Sequence, residues 1–263
     1  MTAGAGTALE QVEQAAWDAQ YTGLAEVDPS LGALSVEVAG LSVHGVAGWP
    51  GSAWHNTVSG AGLVAPATEK GLDVALALLA RLGAQRPAVQ VAEGAEPAAE
   101  LTRWLLARGF TASPPLLRLQ APAQAGAPGT GEGDVEVAGP ADGATVAAVC
   151  LQGFGQVDQR WWRAGLGRPG WTQVLARRDG TAVATAALFV AGEHAWLGSA
   201  TTVPGARRTG AHAALVAARL ALAAEQGART VSVKCAAGSP SHRNLVRAGF
   251  VAAHRVLQWR RAA

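Results

Sequence analysis

Hydrophobic positions in the C-terminal half of the chain change their period several times, and each change marks an element. Val135 to Val137 alternates with polar neighbours, as a strand does. Pro140 to Gln152 is rich in alanine and valine and has a proline in its first turn, which predicts a helix. A shorter helix is expected over Asp158 to Ala164, with Asp158 as its cap. Trp171 to Arg177, Thr181 to Val190 and Ala195 to Val203 then read as three strands. The first two are joined through Asp179–Gly180, a strong hairpin signal between alternating runs. Beyond them come an alanine- and leucine-rich helix, Gly210 to Gln226, and a β-branched strand, Thr230 to Val233.

The N-terminal half repeats part of this order. Gly71 to Leu82 is again a helix, Ala88 to Val91 a short strand, and a second helix follows each strand. Each first helix is preceded by a strand ending in proline, at Pro66 and at Pro204. The segment Leu105 to Gln120, LLARGFTASPPLLRLQ, resembles Leu245 to Arg260, LVRAGFVAAHRVLQWR, with Gly109–Phe110 matching Gly249–Phe250. A repeated strand–helix–strand–helix–strand order is an α/β signature. The antiparallel hairpin before the crossover makes the sheet mixed, in the α+β sense. Ala121 to Asp134 (APAQAGAPGTGEGD) has no periodicity and the composition of a linker. The expected division is therefore 1–120, a linker 121–134, and 135–263.

Composition narrows the class. The 263 residues are 49% hydrophobic and 15% charged, which excludes a disordered chain. Cys150 and Cys235 are the only cysteines and lie far apart, so no disulfide framework or multi-cysteine metal site is expected. The best candidate for a membrane span, Ala213 to Ala224, is short of the ~20 residues needed and carries Arg219. No secretion signal is read in Met1 to Gln20, and the expectation is a reduced, cytoplasmic protein with no membrane partner. Charge is uneven. Residues 1–134 hold 6 Lys/Arg and 13 Asp/Glu, a net of −7, whereas residues 135–263 hold 15 and 6, a net of +9. A basic half suits a polyanion or a phosphorylated cofactor, and equally a basic solvated face. The arginines are scattered and no nucleic-acid module occurs, so no nucleic-acid partner is expected.

The chemistry concentrates at the crossover. Ala200-Thr-Thr-Val-Pro-Gly-Ala-Arg207-Arg208-Thr209-Gly210-Ala211-His212 runs from a strand through a basic, glycine-containing turn into a helix. Unpaired N–H groups and the positive end of the dipole make such a helix start an anion site, and a diphosphate is its natural occupant. The alternative is an ordinary strand-to-helix turn with surface arginines.

At these residues the chain resembles the GNAT superfamily of N-acetyltransferases. The family's pyrophosphate loop, Gln/Arg-x-x-Gly-x-Gly/Ala after a strand ending V-x-P, is similar to Thr202-Val-Pro-Gly-Ala-Arg207-Arg-Thr-Gly210-Ala-His212. The block Ser239-Pro-Ser-His-Arg-Asn-Leu-Val-Arg-Ala-Gly249-Phe250 is similar to the family's Asn-x-x-Ala-x-x-Leu-Tyr-x-x-x-Gly-Phe, with one residue fewer before Gly-Phe. The resemblance covers about residues 134 to 260. It implies two tandem GNAT-like domains, an acetyl-CoA cosubstrate with no metal, and transfer of an acetyl group to the amine of a small molecule by direct attack on the thioester. The backbone of Ala200, Thr201 and Thr202 would pair with the pantetheine arm, with an N–H near Thr202 on the thioester carbonyl. Arg207, Arg208, Thr209, Gly210, Ala211, His212 and Ala213 would form the diphosphate loop, and Ser239 would stand where the family often has asparagine.

Departures from the pattern put the chemistry in question. His212 replaces the second Gly/Ala of the loop and either points away from the diphosphate or contacts it. Val246 stands where the family often has the tyrosine that protonates the leaving thiolate, and Lys234 where several members carry a glutamate base. His194 is the candidate base, because an unperturbed pKa near ~6.5 suits deprotonating an ammonium. Ignoring a bulge, it shares side-chain parity with Trp196 and Thr202; alternatively it is a surface or cap histidine beside Glu193. His242 and His254 have weaker claims, and Cys150 and Cys235 read as core thiols. On the acceptor side, Phe154, Trp161 and Trp162 would line the site and Asp158 would pair with the amine; the alternative makes the tryptophans core and Asp158 a cap. In the first half, Glu69 stands at the position of Arg207 and Leu72 at that of Gly210, so that half is expected to bind no CoA and to wall the acceptor site. A catalytically silent acyl-CoA-binding or sensing protein is the competing reading. Monomer and homodimer both stay open, since a tandem repeat can act as an internal dimer.

Overall fold

The structure, a computed structural model, describes residues 3–124, 134–155 and 158–261. It divides into two compact units, Met1–Leu117 with Ala253–Ala263, and Arg118–Ala252. Residues 125–133, which make up most of the expected linker, lie outside the described residues, as do 156–157.

The first unit opens with a long helix, α1 (Ala3–Val27), which the sequence reading did not assign. Its buried face runs Leu9, Val12, Glu13, Ala16, Gln20, Leu24 at helical spacing, but the polar members dilute the hydrophobic signal. Next come β1 (Ala33–Val38), β2 (Leu41–Val46), β3 (Thr57–Ser59), α2 (Glu69–Arg81), β4 (Ala88–Ala92), α3 (Ala98–Ala107) and β5 (Phe110–Pro122). β1, β2 and β3 are antiparallel neighbours, and β3 runs parallel to β4. Val58, Leu72, Leu79, Val89, Leu101, Leu105 and Phe110 form the core.

The second unit carries β6 (Asp134–Ala138), α4 (Gly143–Phe154), α5 (Gln159–Arg163), β7 (Trp171–Arg178), β8 (Thr181–Ala191), β9 (His194–Thr202), α6 (Ala211–Glu225), β10 (Thr230–Ala236), α7 (Pro240–Arg247) and β11 (Val251–Arg261). β6 to β9 form an antiparallel meander, and β10 joins β9 in parallel. The β7–β8 turn places Asp179 and Gly180 at φ 50° and 76°, the left-handed pair that the dipeptide predicts. α6 packs on one face of the meander through Ala211 and Leu215, and α4 on the other through Val146 and Cys150.

The last strand departs from the expected division. β11 begins in the second unit, but its residues from Ala253 belong to the first, where Val256–Arg260 pairs antiparallel with Ala92–Ala88 of β4. Conversely, the end of β5 belongs to the second unit, where β5 neighbours β10. The Gly-Phe repeat has a physical basis. Gly109 and Gly249, at φ 74° and 88°, end α3 and α7 in the left-handed conformation, and the following phenylalanines are buried.

Candidate functional site

The parallel pairing of β10 with β9 ends early. Thr230–Val233 matches His194–Leu197, after which β9 continues to Thr202 and β10 to Ala236 without further pairing between them. The two strands therefore open at their C-terminal ends. β9 is also bulged here: Thr185 faces Thr201 and Ala187 faces Gly198, so β9 holds one residue more than β8 across that step. Ser199 adopts φ 49° within it. The bulge reverses the alternation, and this corrects the parity argument. Thr201, not Thr202, shares a face with His194 and Trp196. A methyl group at Gly153, near the end of α4, would run into the Thr201 side chain, so that face is the one α4 covers.

From Thr202 the chain passes through a 3-10 turn, Pro204–Ala206, to the start of α6. The Thr209 hydroxyl donates to the Ala206 carbonyl at 2.8 Å and pins the turn. Arg208 and Gly210 are both left-handed, at φ 68° and 87°. Gly210 caps α6 without a side chain, and among the described residues nothing accepts a hydrogen bond from the amides of Arg208 to Ala213. Six successive N–H groups at a helix start, with Arg208 among them, suit an anion.

The same crossover in the first unit is shut. Past the parallel pairs Thr57–Ala88 and Val58–Val89, the Glu96 amide donates to Gly62 and the Ala67 amide donates to Glu96. At the start of α2 the Thr68 hydroxyl accepts from the Gly71 amide at 3.1 Å. Glu69 is held by Arg108 at 3.0 Å. A cavity of about 490 Å³ beside these loops is lined by Glu93 and Glu96 as well as Leu63 and His254. Carboxylates and a helix start that caps itself do not suit a diphosphate.

The acetyltransferase (GNAT) family model matches residues 149–250. That segment is a GNAT-family acetyltransferase domain. No curated protein matches the chain in sequence. Among solved structures, a GCN5-related N-acetyltransferase from Kribbella flavida aligns with a TM-score of 0.65 at 19% identity, over 95% of each chain. A GCN5-related N-acetyltransferase from Sphaerobacter thermophilus gives 0.57 at 14%, over 85% of this chain and 80% of that one. A tandem GNAT protein from the clavulanic acid biosynthesis pathway gives 0.56 at 15%, over 84% and 82%. At these identities the likeness is one of fold. It extends across both units, well beyond the segment that the family model covers.

Within this GNAT domain the expected residues separate into those at the opening and those elsewhere. Ala200, Thr201 and Thr202 line its β9 side, and Arg208 to Ala213 form the loop. Arg207 is exposed, and its guanidinium lies 3.4 Å from the carbonyls of Thr202 and of Gly153, so it braces the loop. Ser239 caps α7, its hydroxyl accepting from the His242 amide. His212 takes its ring inward, with Nδ1 3.3 Å from the Asn244 side-chain amide. Burial, reinforced by the charge of Arg219, pushes His212 down to about 4.

His194 is not brought to the opening. It is the first residue of β9, in register with Ala191 and Thr230, and about 26 Å of strand separates it from Thr202 at ~3.3 Å per residue. Asp158 is the α5 cap, accepting from the Arg160 amide and paired with the Arg160 guanidinium, so its charge is already met. Trp161 is 2% exposed and belongs to the core. Phe154 is 48% exposed and stacks on Trp162 at 5.5 Å and 6°. This pair forms an aromatic surface at the end of α4. Val246 is exposed and offers no proton. Burial pushes the Cys150 thiol up to about 12, which removes it as a nucleophile. Sequence reasoning missed the bulge and the hydrogen bonds of Arg219 beneath it; the only signal was an arginine interrupting an otherwise apolar helix.

Proposed function

We propose that the chain is an acetyl-CoA-dependent N-acetyltransferase acting on a small amine, and that the second unit alone binds the cosubstrate. The opening of β9 from β10 beyond Leu197 and Val233, set next to the unclaimed amides of Arg208–Ala213, carries this reading. The amides take the diphosphate, and the free edge of Gly198–Thr202 pairs with the pantetheine arm. An N–H near Thr202 meets the thioester oxygen, where a fixed donor contributes a few kcal/mol, about 3, to lowering the barrier. When bound, acetyl-CoA supplies an activated carbonyl. The amine lone pair forms the C–N bond, the C–S bond breaks with its electrons on sulfur, and the proton of the new ammonium passes to solvent or to the thiolate. With valine at 246 and His194 remote, the chain supplies mainly proximity and backbone polarisation.

Titration calorimetry with acetyl-CoA is expected to give one site per chain, and a mixed amine panel one acetylated class by mass spectrometry. Two sites contradict the assignment of the closed first unit. Binding without any acetylated product favours the silent acyl-CoA-binding reading, which the exposed Val246 also supports.

A further inference from the structure

Arg219 lies in the middle of α6, is 2% exposed, and meets no carboxylate among the described residues. Its partners are three main-chain carbonyls. Nε donates to Leu215 at 3.0 Å, one turn back in its own helix. Nη1 donates to Ala187 at 3.0 Å and to Gly198 at 3.4 Å. Ala187 and Gly198 are the last β8–β9 pair before the bulge. The guanidinium therefore spans both strands at the edge of the irregular step. From the opposite face Gly198 is covered by the Trp196 ring, so closely that a methyl group there would strike it. The strand is thus gripped from both sides at the residue where it leaves regular pairing.

A buried charge without a counter-ion is unfavourable, and a methionine or leucine would fill the same volume more cheaply. Burial pushes Arg219 down to about 9, which still leaves it cationic near neutral pH, and its field contributes to keeping His212 neutral. A stabilising purpose alone does not account for such a group. Its position does: the bulge sets the orientation of the peptide planes from Ser199 to Thr202, which are the ones next to the opening.

We propose that Arg219 is a positioning residue for acyl transfer. Its fork fixes the β9 bulge, so that a main-chain amide of Ala200–Thr202 is aimed at the thioester oxygen, and its charge adds a positive field behind that amide. The inference rests on the acetyl-CoA site proposed above and adds a residue acting through the backbone.

The test uses the full chain and acetyl-CoA labelled with carbon-13 at the carbonyl. Bound to the native chain, the label is expected to show a downfield carbonyl shift and a lower C=O stretching frequency than in solution. R219M is expected to bind acetyl-CoA still, measured by calorimetry and saturated in the spectra, but to lose the shift. R219K keeps the charge without the planar fork and is expected to retain part of it. A full native shift in R219M overturns the inference, as does a native chain that binds acetyl-CoA without polarising it. Absence of acetyl-CoA binding by the native chain overturns the underlying site, a separate outcome seen before any variant is made. Should R219M fail to fold, R219Q takes its place; if neither folds, the residue is purely structural and the inference fails.

Discussion

His212 sits one residue inside α6 and is held neutral by burial and by Arg219, with its pKa pushed down to about 4. In the unfolded chain it takes up a proton near pH ~6.5. The folded state therefore has its full contribution above that pH, and loses it as pH falls toward 4, by up to roughly 3 kcal/mol. H212Q removes the titration and is expected to flatten the urea midpoint over that interval relative to the native chain; equal slopes contradict it. The sequence showed that His212 departs from the loop pattern but not which way the ring faces, because that depends on Asn244, 32 positions away. Asp158 and Ser239 illustrate the same limit. Asp158 suits both a ligand contact and a cap, and Ser239 is expected at the cofactor only through the family resemblance; the amides they accept from show both as caps. Glycines were easier to read. Gly109, Gly210 and Gly249 each hold a left-handed position that other residues adopt at a cost, so their role is local and visible in the sequence.

The two crossovers are built from the same order of elements, and they differ in how each helix start is satisfied. At α2 the chain supplies its own acceptor, Thr68; at α6 the cap is Gly210 and the amides stay unclaimed. T68A is expected to lower stability by about 1 kcal/mol, the usual value of a lost N-cap, and to leave acetyl-CoA affinity unchanged. G210D puts a carboxylate at the open site and forces a side chain into φ 87°; it is expected to abolish acetyl-CoA binding. Calorimetry on both variants checks the contrast, and the idea fails if T68A weakens binding or G210D does not. Element order and the hairpin were legible because period and turn residues are local signals. The bulge was not, because Gly198-Ser199-Ala200 carries no motif for an extra residue, and without it the faces of Thr201 and Thr202 are exchanged.

At the scale of the whole molecule, the linker composition predicts a domain boundary at 121–134, with the second domain running from 135 to 263. The contacts give a different unit, because β11 crosses from one body to the other. Trp259 is 7% exposed and belongs to the core of the first unit with Val89 and Phe110. Repeat alignment identified the strand but not its owner, since strand exchange leaves the local pattern of both copies intact. A fragment of residues 135–263 therefore presents Val256 and Trp259 without the β4 partner they pair with, and lacks the end of β5 beside β10. An unpaired apolar edge of this kind is prone to aggregate. That fragment is expected to be insoluble or oligomeric by light scattering, whereas the full chain gives a single dispersed species. In the full chain, W259A is expected to cost about 3–5 kcal/mol through the cavity it leaves in the first unit. Because residues 198–213 lie in the other unit, acetyl-CoA affinity measured below the unfolding transition should survive W259A. A soluble, acetyl-CoA-binding 135–263 fragment would mean that the exchanged strand is dispensable and that the linker, not the strand path, marks the functional boundary.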